Sequence, residues 1–344
     1  MRIGVLTGGG DCPGLNAAIR SIVRRSCAVY GDEVIGFHDA WRGVLNRDHE
    51  ILTRDSVYGI LARGGTVLGT TRGSPYDSAH GPNKARDSLS ELGVEALIVI
   101  GGNGSLTVAN KLRDDVGINV VGVPKTIDND IIGTDLTFGF NTAVQTATDA
   151  IDRLQTTAES HNRVMVVEVM GRDTGWIALN AGIAGGATSI LIPEVPFDIE
   201  KVCAQIGARH GRGRFSSIVV VAEGARPRKG TMTEIDYETD PFGRPRFGGI
   251  ANAVAEEISR RTEYEVRVVQ IGHVQRGGTP TAFDRVLATR FGAAAIDAVH
   301  DHAWGQMVAL HGDDIERVDM KIPMGRTKTV DLDYFGYLDS SFCG

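Results

Sequence analysis

Cysteine is scarce in this chain, and the cysteines present stand far apart: Cys12, Cys27, Cys203 and Cys343 form no CxxC pair. That spacing excludes a zinc framework or a disulfide scaffold and fits a reducing compartment. No apolar run approaches the roughly 18 residues of a membrane span. Met1-Arg2 leads directly into Ile3-Gly4-Val5-Leu6, which reads as a strand and not as the apolar centre of a secretory leader. The expected location is therefore cytoplasmic, with no membrane partner. Net positive charge is lacking as well. At −7 the chain offers no broad surface for a polyanion, so nucleic acid is not an expected partner, while local basic pockets for small phosphates stay open.

Glycine is the one excess, 44 residues in 344. Many of these glycines end apolar, β-branched runs: Ile3 to Gly10, Ala96 to Gly104, Val164 to Gly171, Ile218 to Gly224 and Val266 to Gly272. Between the runs lie segments with helical spacing, such as Leu15, Ala18, Ile19, Ile22 and Val23, and later a long helix expected over about residues 141 to 158. Strands alternating with helices predict an α/β fold with mainly parallel sheets covered on both faces. The length suggests two domains.

Three kinds of segment carry chemistry. Thr7-Gly8-Gly9-Gly10-Asp11-Cys12-Pro13-Gly14 and Gly101-Gly102-Asn103-Gly104-Ser105 are glycine turns between a strand and a helix, the second with Ser105 placed to cap its helix. Such turns let backbone N–H groups approach an anion, although each also suits a plain tight turn. Val123-Pro124-Lys125-Thr126-Ile127-Asp128-Asn129-Asp130 gathers two carboxylates, a hydroxyl and an ammonium just after an apolar strand. Open α/β sheets bind ligands at such strand ends. The same residues also suit a loop with a solvated Lys125 and aspartates that cap a turn. Arginines form the third kind: Arg72, Arg163, Arg172, Arg267 and Arg276, the last beside His273 and several glycines. The last four together fit recognition of a phosphorylated sugar and Arg72 a phosphate clamp; singly, each suits a surface arginine or ion pair.

In order and over nearly the whole length, GGGDCPGLN, GGNGSL, PKTIDND, SHNR, MGR and GHVQRGGTP resemble the phosphofructokinase A family. The likeness is greatest to its mixed actinobacterial-type branch, which includes ATP- and pyrophosphate-users. The resemblance implies two Rossmann-like lobes with the active site in the cleft between them. The phosphoryl-donor lobe would comprise 1–139 plus about 275–315, and the sugar-phosphate lobe 140–274 plus about 316–344. It implies an ATP-dependent 6-phosphofructokinase of glycolysis that makes fructose 1,6-bisphosphate from fructose 6-phosphate. Asp128 would be the base, Thr126 would hold the transferred phosphoryl group, and Arg172 would neutralise its charge. Gly10, Arg72, Gly102, Gly104 and Ser105 would line the donor. Asn103 and Asp130 would meet Mg²⁺. Met170, Gly171 and Glu223 would contact the sugar. Its 6-phosphate would meet His273, Arg276, Arg163 and Arg267, the last two reaching in from a neighbouring subunit of a homodimer or homotetramer.

Two positions bear on the donor within that resemblance. Gly104 goes with ATP, where an aspartate would go with pyrophosphate. Lys125 resembles the pyrophosphate-users, in which this lysine meets the donor. Gly104 outweighs Lys125, because a steric block excludes a ligand more firmly than one ammonium does. Pyrophosphate as donor, a related acceptor such as sedoheptulose 7-phosphate, and a weakly catalytic nucleotide or phosphate sensor are the alternatives. The last is raised by Asn103, which stands where the family carries an acid.

Overall fold

The computed structural model describes residues 1–232 and 247–342; Cys343 lies outside the described residues. In chain order the main elements begin with β1 (Arg2–Gly8), α1 (Leu15–Arg25), β2 (Glu33–Phe37), α2 (Trp41–Asn46), β3 (His49–Leu52), α3 (Gly81–Glu91), β4 (Ala96–Gly101) and α4 (Asn103–Val116). β5 (Val120–Thr126), β6 (Phe138–Gly139), α5 (Phe140–His161), β7 (Val164–Val169), α6 (Trp176–Ala184), β8 (Ser189–Leu191), α7 (Ile199–Gly211) and β9 (Ser217–Ala222) follow. The chain closes with α8 (Ile250–Arg261), β10 (Val266–Gln270), α9 (Ala282–His300), β11 (Gln306–His311), β12 (Asp314–Asp319) and α10 (Leu332–Phe342). Two compact units result, Met1–Thr142 with Arg276–Lys328, and Ala143–Gln275 with Thr329–Gly344.

The first unit is built on a sheet of order β12-β11-β5-β4-β1-β2-β3, with β6 paired to β5. Its central strands are parallel, and antiparallel β3 and β12 close the two edges. β4 is buried at all six positions, as a strand covered on both faces must be. Leu97 and Val99 join Leu106, Ala109 and Leu112 of α4 in one core cluster. Ile98 and Ile100 alternate to the other face. α1 and α9 pack tightly together: a Cβ at Gly292 would come within 2.6 Å of the Ala18 carbonyl.

The second unit holds a fully parallel sheet of order β10-β7-β9-β8. Val164, Val166, Val219 and Val221 form its core with Ile199, Val202 and Ile206 of α7 and Ile250, Val254 and Ile258 of α8. Glu168 is buried near the carboxyl end of β7, where its carboxylate accepts from the N–H groups of Gly249 and Ala251 and thereby caps α8. Asn162 ends α5 in the left-handed region, a conformation asparagine tolerates better than most residues.

Candidate active site

Strand order reverses in the first unit between β1 and β4: from β1 the chain moves outward to β2 and β3, then returns to place β4 and β5 on the other side. Ligands of open α/β sheets bind at such a point, beyond the carboxyl ends of the strands. Both glycine turns are there. Gly8 and Gly101 are register partners at the ends of β1 and β4. Ser105 fills the gap between them, since a Cβ at Gly8 would lie 2.5 Å from its Oγ and one at Gly101 2.4 Å from its Cβ. This corrects the expected capping role of Ser105. The helix begins two residues earlier, at Asn103, with Gly102 as its uncapped N-cap residue, because the hydroxymethyl group is needed to fill the space between two glycines. The first N–H groups of α4 are therefore left without a capping side chain, and the helix dipole favours an anion there. Gly104 faces open space: a Cβ added to it would meet nothing within 4 Å.

A third segment braces the first of these turns. The Thr70 hydroxyl donates to the Gly9 carbonyl at 2.6 Å, and the Thr71 hydroxyl to the Asp39 carbonyl at 2.9 Å. Arg72 thereby lines a cavity of about 400 Å³ with Arg42, Lys84, Ser74 and Ser78. Arg42 and Lys84 carry no motif and are visible only once the chain is folded. Arg276, expected at the acceptor phosphate, lies over the first glycine turn: its Nη1 donates to the Asp11 carbonyl at 3.2 Å, and a Cβ at Gly10 would strike the guanidinium.

The acidic stretch leaves the adjacent strand. β5 extends through Thr126, so Lys125 is a strand residue, 2% exposed, and the solvated-loop reading fails for it. Its ammonium donates to the Gly10 carbonyl, and burial lowers its pKa, partly countered by Asp11 and Asp128. Cys12 lies in the same buried region, where desolvation pushes its thiol up to about 12, so it stays protonated and inert at neutral pH. The Asp128 N–H donates to the Thr126 hydroxyl at 3.1 Å. Asn129 adopts φ 51°, and its Oδ1 accepts from the Thr137 N–H at 3.2 Å, a turn that holds Asp128 and Asp130 on either side of it. Asn103 Nδ2 donates to Asp130 Oδ2 at 3.0 Å, while Asn103 Oδ1 is buried without a hydrogen-bond partner. One carboxylate beside an unsatisfied amide oxygen is an oxygen donor set that suits Mg²⁺. The sequence reading missed Lys328, whose backbone N–H donates to the Asp130 carbonyl at 2.9 Å.

In the second unit the remaining residues separate by strand polarity. Met170, Gly171 and Arg172 follow β7, Glu223 follows β9 and His273 follows β10, all at the carboxyl end of the sheet. Arg172 is held in the left-handed region at φ 53°, its N–H donating to Glu223 Oε1 at 3.0 Å. A Cβ at Gly224 would lie 1.9 Å from the Arg172 carbonyl, so only glycine allows this approach. Buried Gln275 accepts from the Met170 N–H at 2.8 Å. It stood inside the GHVQRGG motif but carried no charge to draw notice. Arg163 and Arg267 lie at the opposite, amino end of β7 and β10, where both pair with Glu265, Arg163 at 2.9 Å.

Among the described residues no helix is long and apolar enough to cross a membrane. The family model described as Phosphofructokinase matches residues 2–299. The chain is 56% identical over 331 residues to a pyrophosphate–fructose 6-phosphate 1-phosphotransferase of Streptomyces coelicolor, covering 96% of each chain. It is also 56% identical over 330 residues to ATP-dependent 6-phosphofructokinase 3 of the same organism, again covering 96% of each. Among solved structures, phosphofructokinase from Saccharomyces cerevisiae superposes with a TM-score of 0.82 at 32% identity, covering 93% of this chain and 45% of that longer one.

Proposed function

This chain belongs to the phosphofructokinase family, and from that premise we propose that it is an ATP-dependent 6-phosphofructokinase. It transfers the terminal phosphoryl group of ATP to the C1 hydroxyl of fructose 6-phosphate. Overall relatedness does not choose the donor, because relatives named for ATP and for pyrophosphate are equally similar. The observation that carries the choice is Gly104. No packing demands a small residue there, so the open space ahead of α4 is free for the donor beyond its two terminal phosphates. Arg72 shares a basic cavity with Arg42 and Lys84, a concentration of positive charge that suits phosphate groups. Lys125 favours pyrophosphate as the second reading, but its ammonium is engaged by the Gly10 carbonyl, which makes it a support of the glycine turn.

In this reading the first unit handles the donor and the second the sugar phosphate. Backbone N–H groups of Gly102, Asn103, Gly104 and Ser105, with Gly10 and Arg72, hold the donor phosphates. Thr126 holds the group in flight. Asp128 takes the proton of the attacking hydroxyl, and because the transition state is loose, positioning matters more than basicity. Arg172 balances charge growing on the equatorial oxygens. Asp130 and the Asn103 amide oxygen would hold Mg²⁺, which when bound neutralises charge on the donor phosphates. Met170, Gly171 and Glu223 grip the sugar and His273 its phosphate, with Arg163 and Arg267 supplied by a neighbouring subunit of a homo-oligomer, while Arg276, held over the first glycine turn, serves the donor side.

The test is a coupled assay with ATP and pyrophosphate in parallel, on the protein and on Gly104→Asp. The unaltered protein turns over with ATP. The substituted one loses ATP-dependent kcat/KM by about 100-fold or more, the effect expected of a side chain placed in the path of a bound ligand. Turnover of the unaltered protein with pyrophosphate alone would reverse the donor assignment.

A further inference from the structure

Asp130 to Asp135 is a six-residue loop that follows the proposed base, and Lys328 reaches both of its ends. The Lys328 N–H donates to the Asp130 carbonyl at 2.9 Å. At the other end its Nζ donates to the Thr134 carbonyl at 3.0 Å and also to the Asp135 carbonyl. The far end is tied in addition to β11: Asp135 N–H to the Leu310 carbonyl at 2.8 Å, Leu310 N–H to Thr134 Oγ1 at 3.0 Å, and Gly312 N–H to Asp135 Oδ2 at 2.7 Å.

These contacts make Lys328 a strut, its main-chain N–H holding one end of the loop and its ammonium the other. Charge-assisted bonds from an ammonium to carbonyl oxygens are stronger than neutral ones, and without them the carbonyls of Thr134 and Asp135 lose partners in a half-buried place. A path from the strut to the proposed base is also present. Thr137, two residues past Asp135, donates through its N–H to Asn129 Oδ1 and through its hydroxyl to the Thr126 carbonyl at 2.8 Å. Slack at 134–135 therefore reaches Asn129, next to Asp128, and Thr126, two residues before it.

We propose that Lys328 is a positioning residue of the phosphoryl-transfer site, fastening the Asp130–Asp135 loop at both ends so that Asp128 keeps its place. The inference rests on the kinase reading for its catalytic consequence. Its structural half does not depend on that reading, and the experiment separates the two.

Lys328→Met keeps the apolar stem and removes the donors; Lys328→Arg keeps donors. Both are compared with the unaltered protein by steady-state kinetics and by hydrogen exchange of peptides spanning 128–137. Because displacement of about 1 Å can lower the rate ~100-fold, Lys328→Met is expected to lose about 10- to 100-fold in kcat, with KM for either substrate changed by less than about twofold. Exchange at 128–137 becomes faster while peptides of β1 and β4 are unchanged, and Lys328→Arg recovers most of the rate. The proposal is overturned if kcat of Lys328→Met stays within about twofold of the unaltered protein. It is overturned equally if exchange at 128–137 is unaltered, or if exchange quickens throughout the first unit, which would mark general loosening. Should Lys328→Met not fold, Lys328→Gln takes its place under the same criteria. An unaltered protein that transfers no phosphoryl group defeats the kinase reading, and with it the catalytic half of this proposal. Unchanged exchange would then defeat the strut itself.

Discussion

At position 103 an amide stands where the resembled family has an acid, and its two ends are unequally used. Nδ2 binds Asp130 at 3.0 Å, and Oδ1 is buried with no partner. In the absence of a cation the amide is the better neighbour for Asp130, because a second carboxylate at that distance would repel the first. With Mg²⁺ present the order inverts, since a hard dication gains from each added negative oxygen. Asn103→Asp is therefore expected to tighten Mg²⁺ binding by about tenfold. It should also lower the melting temperature without metal and restore it with metal. Titrating Mg²⁺ against both the initial rate and the melting temperature checks this. The identity of position 103 was legible in the sequence; its bond to Asp130 was not, because the two residues meet only when the ends of β4 and β5 are neighbours. Ser105 makes the same point from the other side. A serine near a helix start reads as a cap, and only the pairing of Gly8 with Gly101 shows that its side chain fills a gap.

Among the elements, the glycine-ended apolar runs located five strands of the two sheets, four of them (β1, β4, β7 and β9) covered on both faces and so almost wholly apolar, the fifth, β10, a partly exposed edge strand. The last glycine of each run lies beyond its strand, although β1 and β4 themselves end on Gly8 and Gly101 and Gly104 is already in α4. Short β2, β3, β8 and β12 left weaker traces, and the edge strands β3 and β12 are partly exposed. Glu168 was the least legible residue of a strand that was otherwise easy to read. A carboxylate inside Val-Met-Val-Val-Glu-Val suggests a surface position, yet it is 7% exposed and caps a helix that starts 82 residues later. Since Gly249 precedes α8 with no side chain of its own, Glu168 supplies the missing cap. Glu168→Ala leaves the N–H groups of Gly249 and Ala251 buried and unpaired, and is expected to lower stability by about 2 kcal/mol. Glu168→Gln, which keeps one acceptor oxygen, should lose less. Urea unfolding followed by circular dichroism measures both.

For the molecule as a whole, strand direction decides how its arginines are used. β7 is six residues long, Val164–Val169, which at about 3.3 Å per residue spans roughly 20 Å. Arg163 stands before that span and Arg172 beyond it; Arg267 is the second residue of β10, near its amino end, and His273 lies beyond its carboxyl end. One copy of the sheet cannot present both ends to a single sugar phosphate a few ångströms across. If Arg163 and Arg267 bind the acceptor phosphate, they do so for another copy of the chain, and symmetric pairing of two copies would make the exchange mutual. The expectation can be tested by complementation. Asp128→Asn removes the base; Arg163→Ser with Arg267→Ser removes the phosphate contacts, and each variant alone should be nearly inactive. After co-expression, half of randomly paired dimers are mixed, and each mixed dimer holds one site with both defects and one with neither, so activity returns to about a quarter of the unaltered level. Were every functional group drawn from one chain, the mixture would show no more than the sum of its inactive parents.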